Sequence, residues 1–151
     1  MKNYLIVISI VCIVLCQSCT LNSTQEKQLN NQLNKYMHAN NKCMVVGIVG
    51  YTLPVYVQKI KEQGDSVFIN QFKCDSITEL SNPIFRQKQK DGDKIHVLIE
   101  FWGNSRSKKD EKPTYVALSY DNGVNWYFIE KKIYFNRTIL NENQLNRLLS
   151  E

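Results

Sequence analysis

Histidine-based catalysis in this chain would have to use one of only two residues, His38 and His96. His96 and Glu100 alternate onto one face of a predicted strand, and a histidine with a carboxylate is the usual pairing for a general base. Four strand residues separate the two side chains by about 13 Å, too far for a hydrogen bond. A catalytic pair would therefore need another carboxylate from a neighbouring strand. His38 lies near a predicted helix end among asparagines, where a solvated or capping role is expected.

The five cysteines are unevenly placed, with three of them in the first 19 residues. Cys16 and Cys19 have the C-x-x-C spacing of a redox dithiol, but they overlap an apolar segment and lack the surrounding pattern of a redox domain. Cys43 and Cys74 can pair in an oxidising compartment, closing a loop of about 30 residues. On the chain-entropy model this stabilises the fold by about 3–4 kcal/mol. The alternative is two buried thiols that pack as small apolar residues.

The N-terminus is typical of an export signal. Met1–Asn3 carries positive charge, and residues 4–16 are apolar except for Ser9. A helix of this length spans about 20 Å, which is short of the roughly 30 Å hydrocarbon core of a bilayer. The segment therefore predicts a signal peptide rather than a membrane span.

The residues that follow, Leu15-Cys16-Gln17-Ser18-Cys19, resemble a bacterial lipobox. The resemblance implies cleavage after Ser18 and attachment of diacylglycerol to Cys19. Cys16 is the rival lipid site, but the residue before it is too large for that role. Plain secretion and an uncleaved anchor are the alternatives to a lipoprotein. The predicted organisation is a lipoprotein signal peptide over 1–18, a lipid-anchored tether over 19–27 and a folded domain over 28–151.

Helical patterns dominate the first half of the predicted domain. Ser23-x-x-Glu26 reads as a capping box that opens a helix over about 24–40. Its apolar stripe comprises Leu29, Leu33, Tyr36 and Met37, and its glutamine- and asparagine-rich side is expected to face water. Residues 43–51 are an apolar run that fits either helix or strand. Pro54 and Gly64 suit the start and the end of a further helix, and residues 65–72 alternate weakly as a strand would.

The second half of the chain has the period-two alternation of strands. Residues 84–90 and 94–102 predict a hairpin around Asp91-Gly92, and residues 114–120 and 124–131 predict another around Asn122-Gly123. Four apolar residues of the first hairpin fall on one face: Ile95, Val97, Ile99 and Phe101. Residues 133–138 could extend the sheet. Residues 141–151 fit a short amphipathic helix.

This order of elements predicts an α+β fold. N-terminal helices would pack on one face of a curved antiparallel β-meander, with a short C-terminal helix after it.

One turn motif stands out between the last two strands. Ser119, Asp121, Gly123 and Trp126 match S-x-D-x-G-x-x-W, which resembles an Asp-box, the hairpin motif repeated in sialidase propellers. Gly123 can take positive φ, and the serine and aspartate side chains can bond nearby backbone N–H groups. A single box in a chain of this length cannot build a propeller, so the motif indicates a structural hairpin rather than a sialidase.

The segment YVALSYDNGVNWYFIEKK, placed after a helical region and before a leucine-rich tail, resembles small bacterial lipoproteins of the Bacteroidota type with an NTF2-like domain. The resemblance covers roughly residues 24–151. It implies helices wrapped around a bent sheet, with a pocket at the open end of the cone. Such folds host isomerases, dehydratases and pure binding modules, so the resemblance transfers no catalytic residue.

Composition and motifs exclude several functions. The net charge of +5 is too small and too dispersed to indicate nucleic-acid binding. There is no HExxH, G-x-S-x-G, P-loop or dinucleotide fingerprint, and neither a metal nor a cofactor is expected. Arg86, Lys88 and Lys90 alternate along one strand; they predict a solvated hairpin rim or, alternatively, contact with anionic headgroups or glycans.

The sequence therefore predicts a lipid-anchored protein of the bacterial cell envelope, outside the cytoplasm, acting as a non-catalytic ligand- or protein-binding module. Its expected partners are the membrane, through the anchor, and an envelope protein, a glycan or a small apolar ligand. The alternative is a small pocket enzyme of the isomerase or hydrolase type that uses His96 with a nearby carboxylate. Nothing in the sequence indicates an oligomeric state.

Overall fold

A computed structural model of the chain describes residues 20–73, 79–102 and 112–135. In these ranges four helices precede a four-stranded sheet, and a one-turn helix follows it. The helices are α1 Ser23–Asn41, α2 Val45–Tyr51, α3 Pro54–Glu62, α4 Asp65–Gln71 and α5 Lys131–Tyr134. The strands are β1 Ile84–Asp91, β2 Lys94–Glu100, β3 Thr114–Ser119 and β4 Tyr127–Glu130. The predicted order of leading helices followed by an antiparallel sheet is confirmed, and α5 is a different short helix from the one predicted over 141–151.

The sheet is an open antiparallel meander in the order β1-β2-β3-β4. Ile95, Val97 and Ile99 of β2 are completely buried, as their alternation predicted. The same face of the sheet receives α1, where Tyr36 stacks on Phe128 with ring centroids 5.0 Å apart and meets Tyr115 edge-on at 5.9 Å. The main core therefore lies between α1 and this face.

Helix α1 begins with a capping box one residue earlier than the one predicted at Ser23 and Glu26. The Asn22 side chain accepts a hydrogen bond from the Gln25 backbone N–H, and the Gln25 side chain accepts one from the Asn22 backbone N–H, each at 2.9 Å. Leu21 and Gln25 are both buried. The segment predicted as a tether, 19–27, therefore overlaps the packed part of the chain from residue 21 onward.

The middle of the chain is more helical than its sequence pattern indicated. The ambiguous run at 43–51 contains helix α2, and α3 lies between Pro54 and Gly64 as predicted. The strand expected over 65–72 is wrong, because those residues form helix α4. Gly64 has φ +110° and its carbonyl accepts hydrogen bonds from the N–H groups of Val67 and Phe68, so the chain turns directly from α3 into another helix.

Both hairpins form, with bounds that differ from those predicted. Asp91 pairs with Lys94, so the loop between β1 and β2 is Gly92-Asp93. The register shifts between Phe85 and Lys88. The second hairpin has shorter strands, because 120–126 form the turn. Helix α5 occupies the start of the strand proposed at 133–138, and the helix predicted over 141–151 lies outside the described residues.

Across the three described ranges, no helix combines the length and the apolar character needed to cross a bilayer.

Candidate functional site

His96 and Glu100 are not brought together by the structure. His96 is half-buried on the sheet face opposite the core, where its ring meets Tyr134 edge-on at 6.0 Å. The Glu100 carboxylate accepts a hydrogen bond from Arg86 Nε at 2.9 Å. Within the part of the chain that the structure describes, no hydrogen bond or ion pair joins His96 to a carboxylate. The orienting acid that a histidine base needs is therefore not seen there.

The surroundings of His96 keep its imidazole neutral. Burial lowers its pKa below the ordinary value of 6.5, and the positive charge of Lys94 lowers it further, while Asp91 acts in the opposite direction. A neutral imidazole can accept a proton, but the described contacts of this ring are aromatic packing. The pocket enzyme using His96 gains no support from this geometry.

The turn between β3 and β4 is organised by the side chains that the sequence motif singled out. The Ser119 hydroxyl donates to Asp121 Oδ1 at 2.9 Å and accepts from the Gly123 N–H at 2.8 Å. Asp121 also accepts from the backbone and side-chain N–H groups of Asn125, at 2.9 and 2.6 Å. The Trp126 indole donates to the Gly123 carbonyl at 3.0 Å and is almost fully buried. These contacts are directed into the turn itself and fit a structural role for the motif.

Two glutamines of α1 form hydrogen bonds to this turn. The prediction that the glutamine- and asparagine-rich side of the helix faces water is therefore wrong at these two positions. Gln25 Nε2 donates to the carbonyl and to the side chain of Asn122, both at 2.9 Å. Gln32 Nε2 donates to the Val124 carbonyl at 2.8 Å, and Gln32 Oε1 accepts from the Trp126 N–H at 2.9 Å. Glutamines seven residues apart lie on one helix face, and that spacing was the signal that could have revealed them.

Several tyrosines of the chain lie in the core or pack against it. Tyr36 and Tyr115 share a hydroxyl–hydroxyl hydrogen bond, and burial raises the pKa of both. Burial, helped by the charge of Glu130, raises the pKa of Tyr56 to about 12. The Tyr120 hydroxyl is buried without a hydrogen-bond partner among the described residues. All four therefore stay protonated at neutral pH.

The basic strand β1 does not present a uniform cationic face. Arg86 is engaged by Glu100, and Lys88 Nζ lies 2.7 Å from Glu26 Oε1 of α1. Because the register of β1 shifts between Phe85 and Lys88, the Arg86 and Lys88 side chains pair with carboxylates of different elements. Two of the three cations predicted along this strand therefore pair with carboxylates of the chain itself.

An open cleft of about 360 Å³ lies between α2 and α3. It is lined by Val49, Gly50, Thr52, Pro54, Val57, Gln58 and Lys61. The Thr52 hydroxyl donates to the Ile48 carbonyl at 2.8 Å, so it is already satisfied within the chain. The lining is thus apolar apart from the side chains of Gln58 and Lys61.

The exposed face of α2 continues this cleft with apolar side chains. Ile48 is buried, and a Cβ on Gly47 would meet Ala39 of α1 at 2.8 Å, so these positions face the core. Helical spacing places Val45 and Val46 on the opposite side, and Val49, which is partly buried against the core, lies between the two faces. Val46 is 88% exposed, and Met44, just before the helix, is 51% exposed. A surface patch of this kind is typical of an interaction site.

The predicted modification and disulfide sites lie mostly beyond the described ranges. Cys43 is disulfide-bonded. Its predicted partner Cys74, and the predicted lipid site Cys19, lie outside the described residues. The pairing of Cys43 with Cys74 remains a prediction.

Among residues 20–73, 79–102 and 112–135, no group of three or more potential metal ligands occurs. No protein-family model, curated protein or solved structure matches the chain.

Proposed function

We propose that this protein is a lipid-anchored component of the bacterial envelope whose folded part is a non-catalytic binding module. The observation that carries the proposal is the apolar outer face of α2 beside the α2–α3 cleft. Val46 is 88% exposed, and the cleft has room for a small ligand. Exposed apolar side chains beside a concave surface are a common setting for ligand or partner binding.

The placement of α1 supports presentation of this surface away from a membrane. Cys19 lies four positions before Ser23, where α1 begins, and a fully extended chain over those four steps reaches at most about 14 Å. Helix α1 has 19 residues and extends about 28 Å, and α2 follows its far end. A lipid on Cys19 would therefore hold one end of α1 near the bilayer while the exposed face of α2 lies near the other.

We further propose that the helices and sheet belong to an NTF2-like cone. The support is the order of elements, with helices before an antiparallel meander, and the packing of α1 across one sheet face. An experimental structure tests this directly. A strongly bent sheet with an opening at one end is expected, whereas a flat sheet covered on one side would contradict it.

The proposed lipid attachment is tested by metabolic labelling with palmitate. The wild-type chain is expected to incorporate label, and Cys19→Ala is expected to abolish it. Label that is lost with Cys16→Ala but kept with Cys19→Ala would move the lipid site to Cys16. An unlabelled wild-type chain would overturn lipidation.

The binding role is tested by placing a photo-crosslinking amino acid at Val46 of the full-length protein in native envelopes. The matched control places it at Val124, which is 58% exposed on the turn after β3. A discrete adduct is expected at position 46 and not at position 124, and Val49→Asp in the same chain should reduce it. Equal labelling at both positions, or none at position 46, would contradict a binding role for this surface.

A further inference from the structure

We propose that the α2–α3 cleft binds a medium-chain aliphatic carboxylate, with the acid group at Lys61 and the chain along the outer face of α2. The inference rests on the proposed binding function and specifies the ligand class that this surface would take.

The first argument is charge. Lys61 is the one charged residue among the described residues that line the cleft. Its ammonium lies 5.6 Å from the ring centroid of Phe68, and it makes no ion pair within the described ranges. A single cation beside an apolar surface matches a monoanion, and a carboxylate can accept charge-assisted hydrogen bonds from an ammonium group.

The second argument is the shortage of other polar groups. The Thr52 hydroxyl is already bonded to the Ile48 carbonyl, and the Gln58 amide donates to Glu62 at 3.2 Å. Among the described residues, none of those that line the cleft is aromatic. A sugar needs several hydrogen-bond partners and commonly an aromatic platform, so it would leave its hydroxyl groups poorly matched here.

The third argument is the direction in which the apolar surface continues. Val49 and Gly50 line the cleft, and one helical turn earlier Val45 and Val46 extend the same face of α2 toward Met44. Val46 and Met44 are largely exposed. An alkyl chain that leaves the cleft would lie along this strip and remove it from water.

Gly50 offers a way to close the cleft. A Cβ at this position would meet nothing within 4 Å, and the residue has an ordinary helical backbone. Gly50→Leu therefore adds a side chain to the lining whose Cβ meets no other atom within 4 Å, and leucine is the better helix former.

The test uses the full-length protein in nanodiscs and a decanoate that carries a diazirine. Saturable labelling is expected in the peptide covering residues 45–61, measured by mass spectrometry, and decanoate should compete for it about tenfold better than decanol. In Lys61→Gln the preference for decanoate over decanol should fall about tenfold, so that the two compete about equally. That loss is consistent with one charge-assisted hydrogen bond. Lys35→Gln, an exposed change of equal charge on α1, should leave it unchanged.

Gly50→Leu is expected to abolish the label, and Val49→Asp is expected to do so independently by placing a carboxylate in the lining. Labelling that persists in both folded variants, or that decanol competes for as well as decanoate, would overturn the proposal. A crosslinked partner at Val46 without decanoate labelling would reject the ligand class and leave the binding function standing. If neither the adduct at Val46 nor the decanoate label formed, both the binding function and the ligand class would be rejected.

Discussion

A Cβ atom on Gly123 would lie 2.7 Å from Cγ of Gln25, so the turn after β3 and the first turn of α1 meet with no space for a side chain. The same glutamine donates two hydrogen bonds to Asn122. Contact and hydrogen bonding thus fix the start of the helix against a turn far along the chain.

Replacing Gly123 by alanine is expected to lower the free energy of unfolding by about 2–5 kcal/mol. Its φ of +88° disfavours any side chain by about 1–2 kcal/mol, and the contact with Gln25 adds an overpacking cost. Gly92→Ala is the matched control, because Gly92 has φ +58° with open space around it and should lose only about 1–2 kcal/mol. Equal losses in urea unfolding would show that the contact with Gln25 is unimportant.

Gln32→Ala is expected to destabilise the fold by about 1–3 kcal/mol, because the Trp126 N–H would lose its acceptor in a part-buried position. Asn31→Ala, at the exposed neighbouring position, should be neutral or slightly stabilising, since alanine is the better helix former. Urea denaturation measures both. If the two variants had the same stability, Gln32 would not hold the turn.

Asp121 is expected to make the fold less stable in acid. Burial alone would raise the pKa of this carboxyl, but hydrogen bonds from Asn125 and Ser119 bring it below the ordinary value of 3.8. Its stabilising contribution is therefore present above that value and lost as the pH falls through the lower folded value. Asp121→Asn should flatten this part of the stability–pH curve. An unchanged acid limb in the variant would contradict the assignment.

His96 is expected to titrate below 6.5, because its burial and the charge of Lys94 disfavour the imidazolium. The unfolded chain then binds more protons between the two pKa values, so stability falls as the pH falls through 6.5 toward the folded value. NMR titration of the ring measures this pKa directly. Lys94→Gln should raise it and Asp91→Asn should lower it. Shifts of the His96 pKa in the reverse directions would contradict the effects assigned to Lys94 and Asp91.

Reduction of the Cys43 disulfide is expected to cost about 2–4 kcal/mol of stability. Non-reducing peptide mapping should find Cys43 linked to Cys74, the one other cysteine that would remain if the signal peptide is removed and Cys19 is lipidated as proposed. Cys43→Ser and Cys74→Ser should then have equal effects. A peptide that joins Cys43 to any other cysteine would show that the predicted pairing is wrong.

The buried face of β2 was predictable because strict alternation leaves one interpretation for Ile95, Val97 and Ile99. The bounds of α1 were less accessible. Asn22-x-x-Gln25 and Ser23-x-x-Glu26 are equivalent capping boxes by spacing, and only the former lets Gln25 also reach Asn122. That second requirement is a tertiary contact, which a local pattern does not contain.

Long-range contacts also explain the other differences. The register shift before Lys88 depends on pairing with β2, so the simple alternation of Arg86 and Lys88 could not reveal it. The cleft between α2 and α3 could not be predicted from the sequence for a similar reason. Its lining comes from two helices whose apolar residues read as core, and Val46 was not distinguishable from Ile48 until the packing of α2 on α1 was known.

The hydrogen bonds between α1 and the turn after β3 also determine when the molecule can finish folding during synthesis. Gln25 and Gln32 find partners 97 and 94 residues later in the chain. At ordinary translation rates that delay is about 5–20 s, many times longer than helix formation itself takes. During this interval α1 has neither its turn nor its aromatic partner Phe128. Until then the apolar stripe of Leu29, Leu33 and Tyr36 lacks part of the cover that it has in the finished fold, which makes α1 a segment that a chaperone could protect.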